Sequence, residues 1–329
     1  HHLCEWLAGD AREVLPGWPD LTLTDLAAPA FFVAAGASCA LLVGSRLRRG
    51  LAPVRVAGVV LRRYGLLVPI GMALEWALWG DPFAFGVLEA IGVTVVAAAL
   101  VAALLPGDLL TLAAVGALTF GVMVERDVTG QHDWLAVELL GGNFPVVTYL
   151  GFVLVGMAVV RSGRYAERRW MASAAVLGVA AVALMLLEGV VPARYPGDIG
   201  LVVPGVAGSA LLYALCQASW PSLLDPFDRV LRSAAAHTFG IFIGHYAIYW
   251  VLRETGVARS VSDLVTVPAA VVMAVLLCLV APRVPQPPWS PRTGWRRPRA
   301  PRPSTGSAPA GGAPAAGDTA AEVGAEPPR

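Results

Sequence analysis

Long apolar runs separated by short polar stretches follow one another from about residue 21 onwards. The first run, residues 26–43, contains no charged residue and is followed by an arginine-rich stretch at 45–49. A run of that length is enough for an α-helix to cross the hydrocarbon core of a bilayer. Thr22 and Asp25 lie just before the run, so the pattern places polar and ionisable groups where this helix enters the membrane.

Repetition of the same pattern predicts about nine membrane-spanning helices. They cover residues 25–44, 62–79, 85–105, 109–124, 146–160, 170–187, 200–218, 238–252 and 263–281. The chain begins at His1, inside what resembles the tail of another apolar segment, and we expect a first helix to be missing from it. The expected fold class is therefore all-α, a polytopic transmembrane helix bundle, since helices satisfy their own backbone in lipid.

Composition agrees with a membrane protein and excludes some functions. Hydrophobic residues make up 57% of the chain and charged residues only 14%, against about a quarter charged in soluble domains. The mean hydropathy is +0.66. A net charge of +1 argues against a nucleic-acid partner, which would require a strongly basic surface.

Arginine positions predict the orientation in the membrane. Alternating sides group the loops 45–63, 161–169 and 219–237, which hold twelve arginines against five on the opposite side. Cytoplasmic loops carry the excess of basic residues, so we expect a multi-pass plasma-membrane protein with a cytoplasmic C-terminal tail. The transmembrane domain is expected to cover 1–281, and the Pro-, Ala-, Gly- and Arg-rich tail 282–329 to be disordered.

Cysteine spacing and short motifs give no sign of a metal or nucleotide site. The four cysteines show no CxxC spacing and lie mostly in apolar runs (Cys4, Cys39, Cys216 and Cys278). Neither HExxH nor a phosphate-binding GxxxxGK[ST] loop occurs. We therefore expect no metal cofactor.

Acidic residues at the outer ends of predicted helices are candidate functional groups, because an ionisable side chain in a membrane is costly. These are Asp25, Glu75 and Glu89, with the polar Asn143 nearby. A second interpretation is open for each acid. Asp25 can cap its own helix, and Glu75 and Glu89 can simply face each other across a water-filled vestibule.

Histidines are the candidates for proton transfer near neutral pH. His1 and His2 lie where the missing helix would exit, and His245 lies within the apolar run GIFIGHYAIYW. His245 can equally serve as a hydrogen-bonded packing residue between helices.

Four arginines at the opposite membrane face are candidates for binding the phosphates of a cytosolic donor, since guanidinium groups bind phosphate in bidentate fashion. They are Arg62, Arg63, Arg161 and Arg232. The alternative is that these residues only set the topology.

Two segments resemble the heparan-α-glucosaminide N-acetyltransferase family. PGWPDLTLTDLAAPAFFVAAGASCALL resembles the family's W-x-G-L-T-x-A-D-L-x-x-P-x-F-x-F-x-x-G-x-S segment through Trp18, Leu21, Thr22, Asp25, Leu26, Pro29, Phe31 or Phe32, Gly36 and Ser38. FGVLEAIGVTVVAAAL resembles its G-V-L-Q-R-I-G-V-T segment through Gly86, Val87, Leu88, Ile91, Gly92, Val93 and Thr94. Weaker similarity to the family covers residues 144–164, and residues 237–250 are similar to the penultimate helix of related membrane acyltransferase-like proteins.

The resemblance implies a multi-helix membrane protein that takes acetyl-CoA from the cytosol and acetylates an amino sugar on the other face. A histidine on that outer face is implied to assist or carry the acetyl group. This chain has Leu15 at the histidine position, Asp20 at the glycine of G-L-T, and Glu89-Ala90 at the Gln-Arg pair. His1 or His2 would then replace the family's histidine, or the chain performs different chemistry.

The resulting hypothesis is an integral-membrane acyltransferase that moves an acetyl group from cytosolic acetyl-CoA to an extracytoplasmic sugar or envelope saccharide. Asp25, His245, His1 and His2 are the catalytic candidates. The substrate-binding candidates are Trp18, Thr22, Glu75, Glu89 and Asn143. Membrane lipid and a second copy in a homodimer are the expected partners, with no nucleic acid. A transporter or flippase, and an inactive acyltransferase-like scaffold, are the alternatives.

Overall fold

The computed structural model describes residues 27–80, 85–128, 140, 144–162, 199–217 and 237–255, with isolated positions at 172–183 and 272–280. Regular structure within these ranges is entirely helical. The helices are α1 (Ala27–Arg48), α2 (Pro53–Val60), a π-helical turn (Leu61–Gly65), α3 (Leu67–Trp79), α4 (Val87–Leu104), α5 (Gly107–Val128), α6 (Val146–Arg161), α7 (Ile199–Gln217) and α8 (Thr238–Glu254).

Within the described residues, four helical segments are long and apolar enough to cross a membrane: Ala28–Arg48, Pro53–Leu78, Val87–Leu104 and Gly107–Val124. They correspond to the first four predicted spans. Helices α6, α7 and α8 form where the fifth, seventh and eighth spans were predicted. Most of the sixth and ninth spans, and the whole tail, lie outside the described residues. An all-helical membrane protein is confirmed, whereas the total of nine spans stays a prediction.

The helix that carries the second predicted span begins at Pro53, ahead of the predicted start of the span at about Arg62. Proline is favoured in the first turn of a helix, where its missing N–H leaves no hydrogen bond unmade, and Ala52 before it has an extended backbone. A helix of 26 residues is about 39 Å long at 1.5 Å per residue. That length exceeds the roughly 30 Å hydrocarbon core, so Arg55 can reach the interface while still being helical.

A π-helical turn, Leu61–Gly65, interrupts this span between α2 and α3. Such turns insert one extra residue into a helix and are frequent at functional sites. Tyr64 is buried here, and the guanidinium carbon of Arg63 lies 5.4 Å from the centroid of its ring. The turn therefore holds an arginine against an aromatic ring within a membrane-spanning segment.

Helices α3 and α4 are antiparallel. Gly71 of α3 faces Glu89 of α4, and Val68, one turn earlier, faces Gly92, one turn later. Glycine at two of these positions removes the side chain that would otherwise separate the backbones. Close approach through small residues is how membrane helices gain packing energy in lipid.

Helices α1 and α6 run in the same direction, and their contact is one of the two most extensive between the described helices. The rings of Phe32 and Tyr149 lie 4.4 Å apart near the starts of the two helices. Towards the ends, Arg161 lies within electrostatic range of Cys39. The starts of α1, α4 and α6 therefore share one end of the bundle with the C-terminus of α3.

Glycine contacts bring the α1 and α6 backbones together at the centre of the core. A methyl group at Gly36 would collide with the carbonyl oxygen of Val153, and one at Gly156 with the carbonyl oxygen of Val33. Phe32 and Phe152 are completely buried in the core beside this contact. Interior packing at such density leaves no room for an added methyl group.

Helix α5 packs against α6 on one side only and exposes large apolar side chains on the other. These are Leu109, Leu112, Val115, Phe120 and Met123. A row of exposed apolar residues on a membrane-spanning helix fits contact with lipid tails. Helix α5 therefore lies at the edge of the described bundle.

Replacement of Gly156 by alanine tests the helix contact. We expect Gly156→Ala to lower the free energy of unfolding by about 1–3 kcal/mol, because the added methyl group meets backbone atoms that cannot move aside. Gly116→Ala is the matched control, since no atom lies within 4 Å of its added methyl group. Alanine there should be neutral or stabilising by up to about 1 kcal/mol. Thermal unfolding in detergent measures both, and equal unfolding temperatures would contradict the packing described.

Candidate functional site

Two carboxylates meet where the chain returns from α3 into α4. Helix α3 ends at Gly80, whose left-handed backbone (φ 76°) closes the last turn by donating its N–H to the carbonyl of Trp76. Glu75 lies in the last turns of α3, and Glu89 in the first turn of α4. The antiparallel return brings the two acids together.

Two glycines make the space that the carboxylates occupy. A Cβ at Gly71 would collide with the carboxyl group of Glu89. A Cβ at Gly86 would collide with Glu75 Oε1 and would lie 3.1 Å from Glu89 Oε2. Both acidic side chains therefore converge on the N-terminus of α4.

Glu89 is buried rather than exposed to a water-filled vestibule. Only 2% of its surface is accessible, and neither carboxylate oxygen accepts a hydrogen bond. The backbone amides of Gly86 and Glu89 lie near the carboxylate without reaching good hydrogen-bond geometry. A buried charge without a partner is costly, and the partial positive charge at the start of α4 offsets only part of that cost.

Apolar and aromatic side chains complete a small cleft around the two acids. Its lining residues are Gly71, Leu74, Glu75, Val87, Leu88, Glu89, Phe242 and Tyr246. The rings of Phe242 and Tyr246 lie 5.0 Å apart on α8. No arginine or histidine lines the cleft, so among the described residues its charge is acidic only.

His245 lies beside the cleft rather than in its lining. Its ring centroid is 5.1 Å from that of Phe242 and 4.4 Å from that of Tyr246. Three of the predicted residues are therefore associated with the cleft: Glu75 and Glu89 line it, and His245 contacts two of its lining residues. The imidazole is half-buried, and the two aromatic rings that it contacts belong to residues that line the cleft.

Arginines occupy the opposite part of the bundle. Arg161, the last residue of α6, donates a hydrogen bond of 3.2 Å to the carbonyl of Leu105 at the end of α4. Arg161 and Arg63 both lie within electrostatic range of Cys39 on α1, so two of the predicted phosphate-binding residues lie in the same part of the bundle. Arg62 is exposed on the π-helical turn.

Seven predicted site residues lie outside the described residues. They are His1, His2, Trp18, Thr22, Asp25, Asn143 and Arg232. Their roles stay predictions. Within the described ranges, no group of three or more His, Cys, Asp or Glu side chains could hold a metal ion.

The glycines and the aromatic wall were missed in the sequence, although the glycines leave a recognisable signal. Gly71 precedes Glu75 by four residues and Gly86 precedes Glu89 by three. Residues at these spacings lie on one face of a helix, so each acid has a glycine beside it on the same face. Phe242 and Tyr246 gave no comparable signal, because aromatic residues are common throughout membrane helices.

A helix bundle with ionisable side chains inside its spans is typical of membrane enzymes and transporters. The family model for the catalytic region of heparan-alpha-glucosaminide N-acetyltransferase matches residues 12–189, more than half of the chain. The chain belongs to this family and is a membrane acetyltransferase-like protein. Comparison with curated proteins and with solved structures gave no match. The matched region includes α1 to α6 and both carboxylates, whereas Phe242, His245 and Tyr246 follow it.

The unpartnered carboxylate predicts a gain in stability when its charge is removed. Glu89→Gln keeps the side-chain shape, and we expect the free energy of unfolding to rise by about 1 kcal/mol, because a buried carboxylate without hydrogen bonds costs more than a buried amide. Glu254→Gln, at an exposed position, should change it by less than about 0.5 kcal/mol. Thermal unfolding in detergent measures the difference. A loss as large as that of a core truncation would show that the charge of Glu89 stabilises the fold.

Proposed function

We propose that the protein transfers an acetyl group from cytosolic acetyl-CoA to a sugar or saccharide of the cell envelope on the outer side of the membrane. Family membership supports acetyl transfer. The separation of an acidic cleft from an arginine-rich region along the same membrane-spanning segment is the observation that carries the proposal.

The spacing of the two regions suits an extended thioester donor. Arg63 and Glu75 are twelve residues apart in one helical segment, a distance of about 18 Å along the axis. An extended pantetheine arm spans a distance of this order. Phosphates bound near Arg63 and Arg161 would then allow the thioester to extend towards the carboxylates.

Donor binding is assigned to the arginines. Arg63 and Arg161, which lie in the same part of the bundle, are the first candidates, and Arg62 and Arg232 are further ones. Guanidinium groups bind phosphate oxygens through charge-assisted hydrogen bonds that are shorter and stronger than neutral ones. The excess of arginine in the loops supports a cytoplasmic position for this end, and we propose the same side for the C-terminal tail.

Acceptor binding is assigned to the opposite end. Glu75 and Glu89 offer carboxylate acceptors for hydroxyl or amino groups, with Trp18, Thr22 and Asn143 as further candidates from the sequence. The negatively charged cleft and its two aromatic rings fit a polar acceptor with an apolar face. A sugar ring has that character.

Acetyl transfer requires a group that removes a proton from the acceptor as it attacks the thioester carbonyl. Asp25 and a histidine (His245, His1 or His2) are the candidates from the sequence, since a positioned base contributes on the order of 10²–10⁴ to the rate. The thiolate of CoA is the leaving group. No bound metal ion takes part in this proposal.

Labelled acetyl-CoA tests the proposal in membrane vesicles that carry the protein. We expect label in the envelope saccharide, and we expect Arg63→Ala combined with Arg161→Ala to raise the KM for acetyl-CoA by about tenfold or more, because charged hydrogen bonds contribute about 1.5–3 kcal/mol each. The control is Arg55→Ala, an exposed arginine of the same segment, which should leave KM unchanged.

Label in no product, together with no binding of CoA, would contradict the proposed activity. Label in the saccharide with an unchanged KM in the double variant would keep the activity and remove the two arginines from donor binding.

A further inference from the structure

Two arginines lie on the exposed face of the second membrane-spanning segment. Arg55 and Arg62 are seven residues apart, which is about two helical turns or 10 Å along the axis, so they share one face of the helix. Both are exposed, whereas Val56, Val60 and Tyr64 of the same segment are buried. The two arginines therefore point away from the packed core of the bundle.

Gly58 leaves an opening between the two arginines. It lies on the same face, three residues after Arg55 and four before Arg62, and an added Cβ there would meet no atom within 4 Å. Side chains of a helix lean towards its N-terminus, so Arg62 leans towards this opening. Apolar side chains follow on the side of the bilayer centre, where Leu61 is 59% exposed and Leu66 39%. These five residues are called the arginine face below.

Arg62 lies too deep in the span to be an ordinary surface arginine. The helix is about 39 Å long for a hydrocarbon core of about 30 Å, and Arg62 is about 14 Å from its start at Pro53. Even if the whole excess of length extended beyond the core at that end, the Cα of Arg62 would lie about 5 Å inside the hydrocarbon. A guanidinium group at that depth has to reach back to the phosphate level of the bilayer or bind an anion.

The chain around the two arginines supplies no negative charge. The sequence has no acidic residue between Asp25 and Glu75, although it has six arginines in that interval. The arginine face therefore combines positive charge with apolar side chains deeper in the span. An anionic phospholipid has the complementary pattern, because its phosphate lies above its apolar chains. Guanidinium groups bind phosphate oxygens through charge-assisted hydrogen bonds.

We propose that the arginine face binds one anionic phospholipid of the leaflet at the Pro53 end of the span. Arg55 and Arg62 hold the phosphate, and Gly58 leaves room for the headgroup. Leu61 contacts the start of an acyl chain, since its side chain extends over Gly65, one turn deeper in the span.

This lipid site separates two groups of arginines in the same part of the bundle. Arg55 and Arg62 contact lipid rather than CoA, so Arg62 leaves the set of donor candidates. Donor phosphates stay with Arg63 and Arg161, of which Arg63 is only partly exposed and lies against the ring of Tyr64. The lipid site does not depend on acetyl transfer.

Native mass spectrometry of the complete chain in detergent tests the site with two lipids of the same acyl chains, phosphatidylglycerol and phosphatidylcholine. The wild type should bind the first phosphatidylglycerol about tenfold more tightly than phosphatidylcholine, because each arginine near anionic lipid contributes about fivefold. Arg55→Ala combined with Arg62→Ala should raise the Kd for phosphatidylglycerol by about tenfold or more. The Kd for phosphatidylcholine should change far less.

Two further variants separate a site from general attraction to basic residues. Arg48→Ala combined with Arg49→Ala removes the same charge from exposed positions at the same end of the bundle, and it should raise the Kd for phosphatidylglycerol far less. Gly58→Leu keeps both arginines and fills the opening, so it should raise that Kd by about fivefold or more. Its unfolding temperature should not fall, because leucine has a higher helix propensity than glycine.

Equal Kd values of the wild type for the two lipids would overturn the lipid site. An equal loss of affinity in the two double-arginine variants, or an unchanged Kd in Gly58→Leu, would overturn it as well. Displacement of phosphatidylglycerol by excess CoA would return the two arginines to the donor, and a dimer that forms only without lipid would assign this face to a second copy. Either result would also overturn the lipid site, and each would leave the proposed acetyl transfer to its own test.

Discussion

The return of the chain from α3 into α4 is the constraint on which the acidic cleft depends. Gly80 ends one helix, and Gly71 and Gly86 leave the space into which Glu89 and Glu75 extend. A single methyl group at Gly71 or Gly86 would occupy the position of a carboxylate. The cleft therefore exists because side chains are absent at two positions, and the two acids are neighbours because α3 and α4 are antiparallel.

Glycines have different consequences at the cleft and in the rest of the described core. Elsewhere in the described core, glycines allow close packing: Gly36 and Gly156 bring α1 and α6 into backbone contact. Beside Glu89, glycine admits a charged group that receives no hydrogen bond. Functional sites commonly retain such locally unfavourable groups, and the packed helices around them supply the stability. At the other end of α4, a backbone carbonyl does receive a hydrogen bond, since Arg161 donates to the carbonyl of Leu105.

Much of the fold could be predicted from the sequence, because apolar runs of about twenty residues leave few alternatives to a membrane helix. Glu75, Glu89 and His245 could be predicted as candidates for the same reason: charge and polarity are conspicuous in such runs. The start of the second helix could not be predicted, since Arg62 and Arg63 resembled the end of an arginine-rich loop. These arginines lie in a helix because of tertiary contacts, including the burial of the neighbouring Tyr64. Such contacts cannot be recognised from the local sequence pattern.

The central claim is that the acidic cleft and the arginine-rich region lie towards opposite faces of the membrane. The most direct test is to determine on which side of the membrane each end of α4 lies. Asp81 precedes α4 in the sequence and Asp108, which is exposed, follows it. Each is replaced by cysteine in a protein whose own cysteines are replaced, and sealed cells are treated with a maleimide that cannot cross membranes. The account predicts that Asp81→Cys reacts from outside and that Asp108→Cys reacts only after the membrane is opened. Reaction of both positions from the same side would contradict it.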